Sequence, residues 1–369
     1  MKIKIITKHA PSNYGSLLQS IATLTVLKRM GHEAQIIDYQ RPDERGLENT
    51  LTNMKTKPSI INNPVKKLAY ICLRYPLEAM AFSRFEGMRH KYLDMTPLIT
   101  SHEELEKLEA DVFMTGSDQV WSDAGVDKYD SAFFLSFVKK GKKVAYAASF
   151  GKTKFDDSTV DAYKKMLSSY DAISVREDAA LDLIKSWNLK KYELLEQVLD
   201  PTLLLNSQEW SSLIKKNRTG KYVLVYQIHN DKKLNLYAKK LAKHLNIPLL
   251  RVNPQLHQIV RGGKFHWCPD VSDFLSLVKN ATVIVTDSFH GTCFSINFNK
   301  QFVEILPNTS TGSRNQSILR LTGLQDRILK NENDFDIALK KIDYAKVNMI
   351  VEKERSHSLD VMKKIIECC

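Results

Sequence analysis

Residues 281–298 read ATVIVTDSFHGTCFSINF. Val283, Ile284 and Val285 form the short apolar run of a buried strand, and 293–298 an apolar helix. Between them Asp287, Ser288, Phe289, His290, Gly291 and Thr292 predict a polar turn. A strand that turns straight into a helix leaves unpaired N–H groups and the positive helix end facing the crevice above the sheet, which suits an anion. His290 adds a titratable group there, and Gly291 lets a ligand approach the backbone. The plain alternative is a structural histidine at an ordinary strand–helix junction of a doubly wound domain.

Working outward, residues 2–6 predict a strand, 16–30 a helix with Leu17, Ile21 and Leu24 at helical spacing, and 35–39 a second strand, together a β-α-β unit. Residues 41–100 lack a clean strand and hold helical pieces at 65–75 and 77–92, a helical excursion over the cleft or a partner. Strands are expected again at 111–115, 143–147 and 172–175, with helices at 103–109, 156–169 and 177–187. Val198-Leu199-Asp200-Pro201 closes the first half, and the polar run 206–221 is the expected hinge. The second half restarts with strands at 222–227 and 248–252. A basic loop through Arg261-Gly262-Gly263-Lys264, a helix at 271–280, the strand leading to His290 and a strand at 302–305 follow. Strands and helices alternate in both halves, so the fold class is α/β, with two doubly wound domains facing each other at 1–205 and 220–345. A last helix within 346–369, with Leu359, Met362 and Ile366 on one face, is expected to dock back on the first domain.

The 369 residues, 43% of them hydrophobic, exceed one ordinary core. Lys and Arg number 54 against 42 Asp and Glu, a net charge of +12 that attracts anions. The cations are dispersed (Lys139, Lys140, Lys239, Lys240, Lys340, Lys341) instead of forming an arm or an aromatic-interleaved stripe, which argues against nucleic acid. No segment approaches the ~18 apolar residues of a membrane span, and MKIKIITKHAPSNYG lacks the apolar core of a signal peptide. The expected location is the cytoplasm, including the inner face of the membrane, where the basic surface suits peripheral contact. Cys72, Cys268, Cys293, Cys368 and Cys369 are odd in number and lack ligand spacing, so no disulfide framework and no metal site is expected. The terminal pair reads as a frayed end or a lipidation site.

Four loops fall where strand ends should meet the crevice. After strand one, Asn13, Tyr14 and Gly15 open a helix, either as an anion site or as a plain N-cap by Ser12 or Asn13. In TGSDQVW at 115–121, Asp118 and Trp121 can take a sugar through a carboxylate and an aromatic face, or Asp118 can cap the next helix. Arg176 leaves a strand immediately before a helix. Its fork of donors suits a carboxylate or phosphate, the alternative being a surface ion pair with Glu177 or Asp178. Arg314, in TSTGSRNQ at 309–316, is a second anion clamp or a solvated loop residue.

These residues resemble the polysaccharide pyruvyl transferases. The likeness runs through NYGSLLQSIATLTVLKRMGHEAQIIDY at 13–39, TGSDQVW at 115–121, YAASFG at 146–151, ISVREDAALDLI at 173–184, VLDPTLLL at 198–205 and FLSLVKNATVIVTDSFHGTCFSINFNKQF at 274–302. The resemblance implies two Rossmann-like domains in a GT-B-like arrangement. It also implies transfer of the enolpyruvyl unit of phosphoenolpyruvate, the donor substrate, onto sugar hydroxyls as a ketal, with no cofactor. The family's donor-binding arginine falls on Arg176 and its key histidine on His290, beside Phe289. Amides near Phe289 and His290, in the Ser288–Gly291 turn, would help hold the donor; apart from the resemblance, Asp118 is read as orienting or deprotonating an acceptor hydroxyl. The acceptor would be a saccharide, lipid-linked or free. Competing readings are a GT-B glycosyltransferase whose Glu304 grips the ribose of a nucleotide sugar, and a non-catalytic saccharide-binding member.

Overall fold

Two parallel sheets carry the chain in the computed structural model, which describes residues 1–55, 57–122, 129–189, 194–307 and 312–367. Cys368, Cys369 and the Thr309 end of the loop before Arg314 fall outside them. The first sheet holds β1 (Lys2–Ile6), β2 (Glu33–Ile36), β3 (Val112–Thr115), β4 (Lys142–Ala148), β5 (Ala172–Val175) and β6 (Leu195–Gln197), in the order β2-β1-β3-β4-β5-β6. The second holds β7 (Val223–Tyr226), β8 (Leu249–Asn253), β9 (Lys264–Trp267), β10 (Val283–Thr286) and β11 (Gln301–Glu304), in the order β11-β10-β7-β8-β9. All pairings are parallel. Central strands such as VFMT in β3, VLVY in β7 and VIVT in β10 are buried throughout, because helices cover both faces of such sheets. Strand order reverses between β1 and β3 and again between β7 and β10. Ligands of open α/β sheets bind outside the strand carboxyl ends at such points.

The edge strands β6 and β9 were not expected. Their residues are half-buried or exposed, so neither shows an apolar run, and Lys264, read as loop, begins β9. The six helices used below are α1 (Tyr14–Arg29), α2 (Pro64–Tyr92), α3 (Val271–Lys279), α4 (Phe289–Asn297), α5 (Ser313–Leu321) and α6 (Tyr344–Glu367). α2 is one helix where two pieces were expected. Pro76 and Cys72 both lie on its exposed side, so the carbonyl that loses its donor to proline faces water. The expected helix at 103–109 shrinks to His102–Leu105. The expected hinge is tied down: Trp210 is fully buried, and the N–H groups of Lys215 and Arg218 donate to Ser272 and Ser276 of α3 at 2.8 Å each. α6 packs against β4 and β5 through Val361, Met362 and Ile365, and Ser358 Oγ accepts from Leu199 N at 2.9 Å. Leu359 is only half-buried on that helix.

Candidate active site

The loop after β1 delivers Asn13, whose Oδ1 caps α1 by accepting from Gly15 N at 2.8 Å and takes a second bond from Tyr226 Oη at 3.3 Å. Tyr14, expected at the substrate, turns away from the cleft. Its ring stacks on Phe274 of α3 with centroids 4.1 Å apart, and its hydroxyl donates to Pro269 O at 2.5 Å. It joins the two domains instead. Gly15 faces the His290 ring so closely that a Cβ there would lie 2.0 Å from Nδ1. Glycine at 15 therefore lets α1 meet α4, and its expected contact with substrate is replaced by contact with the imidazole.

Beyond β3, Asp118 adopts φ +76°, a left-handed conformation costly for a residue with a side chain. The distortion turns its carboxylate toward α1, where Oδ2 accepts from Ser16 Oγ at 2.8 Å while Oδ1 accepts from Gln119 N at 2.9 Å. Residues 119–122 after Asp118 form a turn, and the next helix among the described residues, the short Ser131–Phe134, is capped by Asp130 instead. Trp121 is fully buried, stacked near Phe134 and Phe150, and its Nε1 donates to Phe133 O at 3.2 Å. The expected sugar platform is thus a core residue.

Arg176, at the end of β5, is buried and is no surface pair. Nη1 donates to Asp200 Oδ2 at 2.8 Å, Asp118 Oδ1 lies 3.7 Å from Nη2, and Phe289 of the other domain lies under the guanidinium at 4.3 Å. Burial works against its charge, but Asp200, Asp118 and Glu177 hold its pKa above the ordinary value. Asp200 was read only as the end of the first half. It accepts from Arg176, Ser117 Oγ and Thr202, and its Oδ2 stands 3.6 Å from His290 Nε2. Burial would raise its pKa, and the nearby His290 and Arg176 pull it well below the carboxylate range.

Helix α4 starts earlier than expected, because Ser288 Oγ accepts from Gly291 N at 3.3 Å and caps it. His290 consequently sits in the first helical turn. The side of Gly291 on which a side chain would stand is filled: a Cβ there would come within 2.3 Å of Thr286 Oγ1. Packing of α4 onto β10 accounts for that glycine, a correction to the expected ligand approach. Arg314, second residue of α5, is buried rather than solvated, and burial followed by the repulsion of Arg176 lowers its pKa to about 10.

Asn13, Asp118, Ser288, Phe289, His290 and Arg314 thus line one cavity of about 280 Å³ between the domains, with Arg176 behind Phe289. His290 Nε2, Arg314 Nε and both Nε and Nη2 of Arg176 are shielded from water and make no hydrogen bond. The Arg176 and His290 atoms face Glu177, Asp118 and Asp200 at 3.6–3.7 Å, beyond hydrogen-bond reach, and Glu177 Oε2 is itself buried and unbonded. Unmatched buried donors are costly, and an anion is one group that would satisfy them. Among the described residues no group of His, Cys, Asp and Glu could hold a metal ion.

Glu304, the carboxylate considered for a ribose, is fully buried and hydrogen-bonds to Thr292 and Asn315 at 2.5 Å each. Burial raises its pKa to about 8 from an ordinary 4.5. The folded chain then keeps a proton that the unfolded chain loses, so this contribution to stability is complete below about pH 4.5 and is lost as pH rises through about 8. Glu304→Gln keeps both bonds without titrating. Between about pH 5 and 8, wild type should lose roughly 1.4 kcal/mol per pH unit relative to the variant in urea titrations. Parallel stability curves would contradict a protonated Glu304.

Two facing Rossmann-like domains with the cavity between them define a GT-B-like fold. The UDP-GlcNAc 2-epimerase of Neisseria meningitidis, solved with UDP-GlcNAc, is similar at 10% identity with a TM-score of 0.52, over 99% of this chain and 100% of its own. Arabidopsis thaliana UGT89C1, solved with UDP-L-rhamnose, gives 9%, 0.50, 100% and 99%. The chain spans 64% of the length of Thermobaculum terrenum O-GlcNAc transferase, with all of this chain covered, 12% identity and a TM-score of 0.47. No curated protein matches it significantly. The family model for polysaccharide pyruvyl transferase matches residues 13–310, and the chain belongs to that family. The resemblance read from its motifs is borne out.

Proposed function

We propose that this chain moves the enolpyruvyl unit of phosphoenolpyruvate onto two hydroxyls of a saccharide, forming a ketal and releasing phosphate. The supporting observation is that Arg314 and His290, whose Nε and Nε2 make no hydrogen bond, line one interdomain cavity with the Arg176 guanidinium directly behind Phe289. Phosphoenolpyruvate offers a carboxylate and a phosphate, the two groups that guanidinium forks bind best. In this reading Arg176 and Arg314 hold those groups, with the Ser288 turn beside them. His290 as imidazolium protonates the donor methylene, which makes the adjacent carbon electrophilic. One sugar hydroxyl adds to that carbon and the phosphate leaves with the C–O electron pair. The second hydroxyl then closes the ring. Of the two hydroxyl protons displaced, one replaces that given to the methyl group and the other leaves with phosphate. Asp118, whose pKa burial would raise but Arg176, His290 and Arg314 lower, is ionised and orients the first hydroxyl.

For the saccharide we infer a second cavity of about 370 Å³ that shares Pro11, Asn13 and Glu44 with the first. Phe82 of α2, half-buried, offers an aromatic face there, and Asn49, Asn53 and Gln255 offer amides. A nucleotide-sugar donor is less well served, since Glu304 is enclosed and already bonded.

Thermal melts with phosphoenolpyruvate against UDP-sugars test the donor. A ligand at a hundred times its Kd stabilises by about 2.7 kcal/mol, and stabilisation by UDP-sugars alone would reverse the reading. With a saccharide that supports phosphate release, Phe82→Ala should raise its KM about tenfold and leave the donor KM unchanged.

A further inference from the structure

The basic loop Arg261-Gly262-Gly263-Lys264 takes no part in the chemistry proposed above, and the fold brings it to a buried cation. Arg251, in the middle of β8, is fully enclosed. Its Nη1 donates to Gln227 Oε1 at 3.0 Å, and Arg261 Nη1 donates to the same oxygen at 2.9 Å. Arg261 Nη2 donates to Asn230 Oδ1 at 2.8 Å. Two guanidiniums thus lean on one neutral amide oxygen, while Nε and Nη2 of Arg251 are shielded from water and unbonded. A third cation stands beside them. A Cβ on Gly262, itself at φ +80°, would lie 3.0 Å from Lys239 Cε and 3.3 Å from Lys239 Nζ. Among the described residues no carboxylate comes within 4.0 Å of any of the three cationic groups. Asp287, whose charge acts on both arginines, is taken up by the N–H groups of Ile228 and His229 at 2.7 and 2.9 Å.

Like charges held together round neutral acceptors repel one another until an anion joins them. Burial, and then Arg261, push the pKa of Arg251 down to about 10. Arg251 is enclosed, Arg261 half-buried and Lys239 exposed, so the three run from the interior to the surface. None of them lines the donor cavity of about 280 Å³. We propose that Arg251, Arg261 and Lys239 form a second anion site, which takes a phosphoryl group. Its oxygens accept from guanidinium forks and an ammonium at once. The 3-10 helix Leu256–Arg261 starts at the wall of the saccharide cavity with Leu256 and His257 and, at 2.0 Å per residue, reaches Arg261 about 10 Å away. The field is positive along that span, since burial and then Arg74, Arg261 and Lys57 push the pKa of His257 down to about 4. The phosphoryl group has two sources, a phosphate ester on the saccharide and free phosphate. The site does not depend on which donor the cleft takes; only the first source rests on the saccharide reading of the neighbouring cavity.

Calorimetric titration of the full chain with inorganic diphosphate tests this. Wild type should bind it, and so should Arg314→Gln, in which the donor cavity is impaired. Adding Lys239→Gln/Arg261→Gln to Arg314→Gln should weaken that binding at least about tenfold at an unchanged melting temperature, since both side chains reach the surface. Lys239→Gln/Arg261→Gln alone should bind phosphoenolpyruvate as wild type does. Arg251→Met should also lose the site, yet melt no lower than wild type without ligand, because no carboxylate is left stranded. The proposal fails if Arg314→Gln binds no diphosphate, or if the Lys239 and Arg261 substitutions leave its Kd unchanged. It fails equally if Arg251→Met melts well below wild type and still binds diphosphate, which would make that arginine structural. Glucose 1-phosphate titrated against inorganic phosphate names the source. An ester bound at least about tenfold more tightly, with the advantage lost in Lys239→Gln/Arg261→Gln, supports a site for a phosphorylated saccharide, and equal binding supports one for free phosphate. Failure of phosphoenolpyruvate to bind any of these proteins would sink the donor reading and leave this one standing.

Discussion

Replacing Gly15 by alanine is expected to lower turnover at least a hundredfold, although one methyl group is all that changes. A Cβ at 15 would lie 2.0 Å from His290 Nδ1, 2.5 Å from Cγ and 2.7 Å from Cε1. Nothing nearby can yield cheaply. α1 is buried over most of its length, α4 is buried throughout, and Tyr14, next to Gly15, is stacked on Phe274. The imidazole must therefore leave its place facing Asp200, or the two domains must part. Loss of a positioned general acid costs about 10²–10⁴ in rate, so His290→Ala should show a loss of the same size. Alanine is the better helix former by up to about 1 kcal/mol, so a fall in melting temperature for Gly15→Ala would come from the clash alone. Gly15→Ala/His290→Ala supplies the decisive comparison. With the ring gone the methyl fits, and the double variant should be no slower than His290→Ala and no less stable. Phosphate release together with thermal melts reads both quantities. Wild-type turnover in Gly15→Ala would show that His290, where the structure places it, takes no part in the chemistry.

What could be read from the chain follows from where water is. The central strands β3, β7 and β10 are covered on both faces and print themselves as apolar runs, whereas β6 and β9, wet along one edge, do not. The turn after β10 was legible as a polar break between two apolar runs, and only the start of the helix was misplaced, because the Ser288 cap was not read there. Trp121 and Tyr14 were misjudged for a shared reason. An aromatic residue beside polar turn residues reads as available to a ligand, and what buries these two, Phe150 and Phe274, lies 29 and 260 residues further along. Asp200 was hidden by its own local role. It caps the short helix Pro201–Leu204, accepting from Thr202 N at 2.9 Å, and such an Asp-Pro pair explains itself without a distant partner. Its second oxygen, bonded to Arg176, is visible only once β5 and the end of β6 are side by side.

That pairing sets the other large expected effect. From sequence alone, Arg176→Ala would mainly weaken donor binding. In the fold it also takes from a fully buried carboxylate its hydrogen-bonded cation, because Ser117 and Thr202 bring no positive charge and His290 stands 3.6 Å away. Breaking a buried pair from one side costs about 3–5 kcal/mol. In a domain of this size that lowers the melting temperature on the order of 10 °C. Asp200→Asn should be nearly as harmful, since Arg176 then keeps only Asp118 and Glu177 at 3.7 Å. Removing both charges is the test that separates the two roles of Arg176. Arg176→Met/Asp200→Asn should regain at least about 2 kcal/mol over the sum of the single losses, because neither partner is left unmatched. Donor binding should not return with it, since the guanidinium that faces the cavity through Phe289 is gone. A double variant that is stable and binds phosphoenolpyruvate as wild type does would make the pair purely structural. One in which the losses simply add would mean that Arg176 and Asp200 do not depend on each other, against the 2.8 Å contact between them.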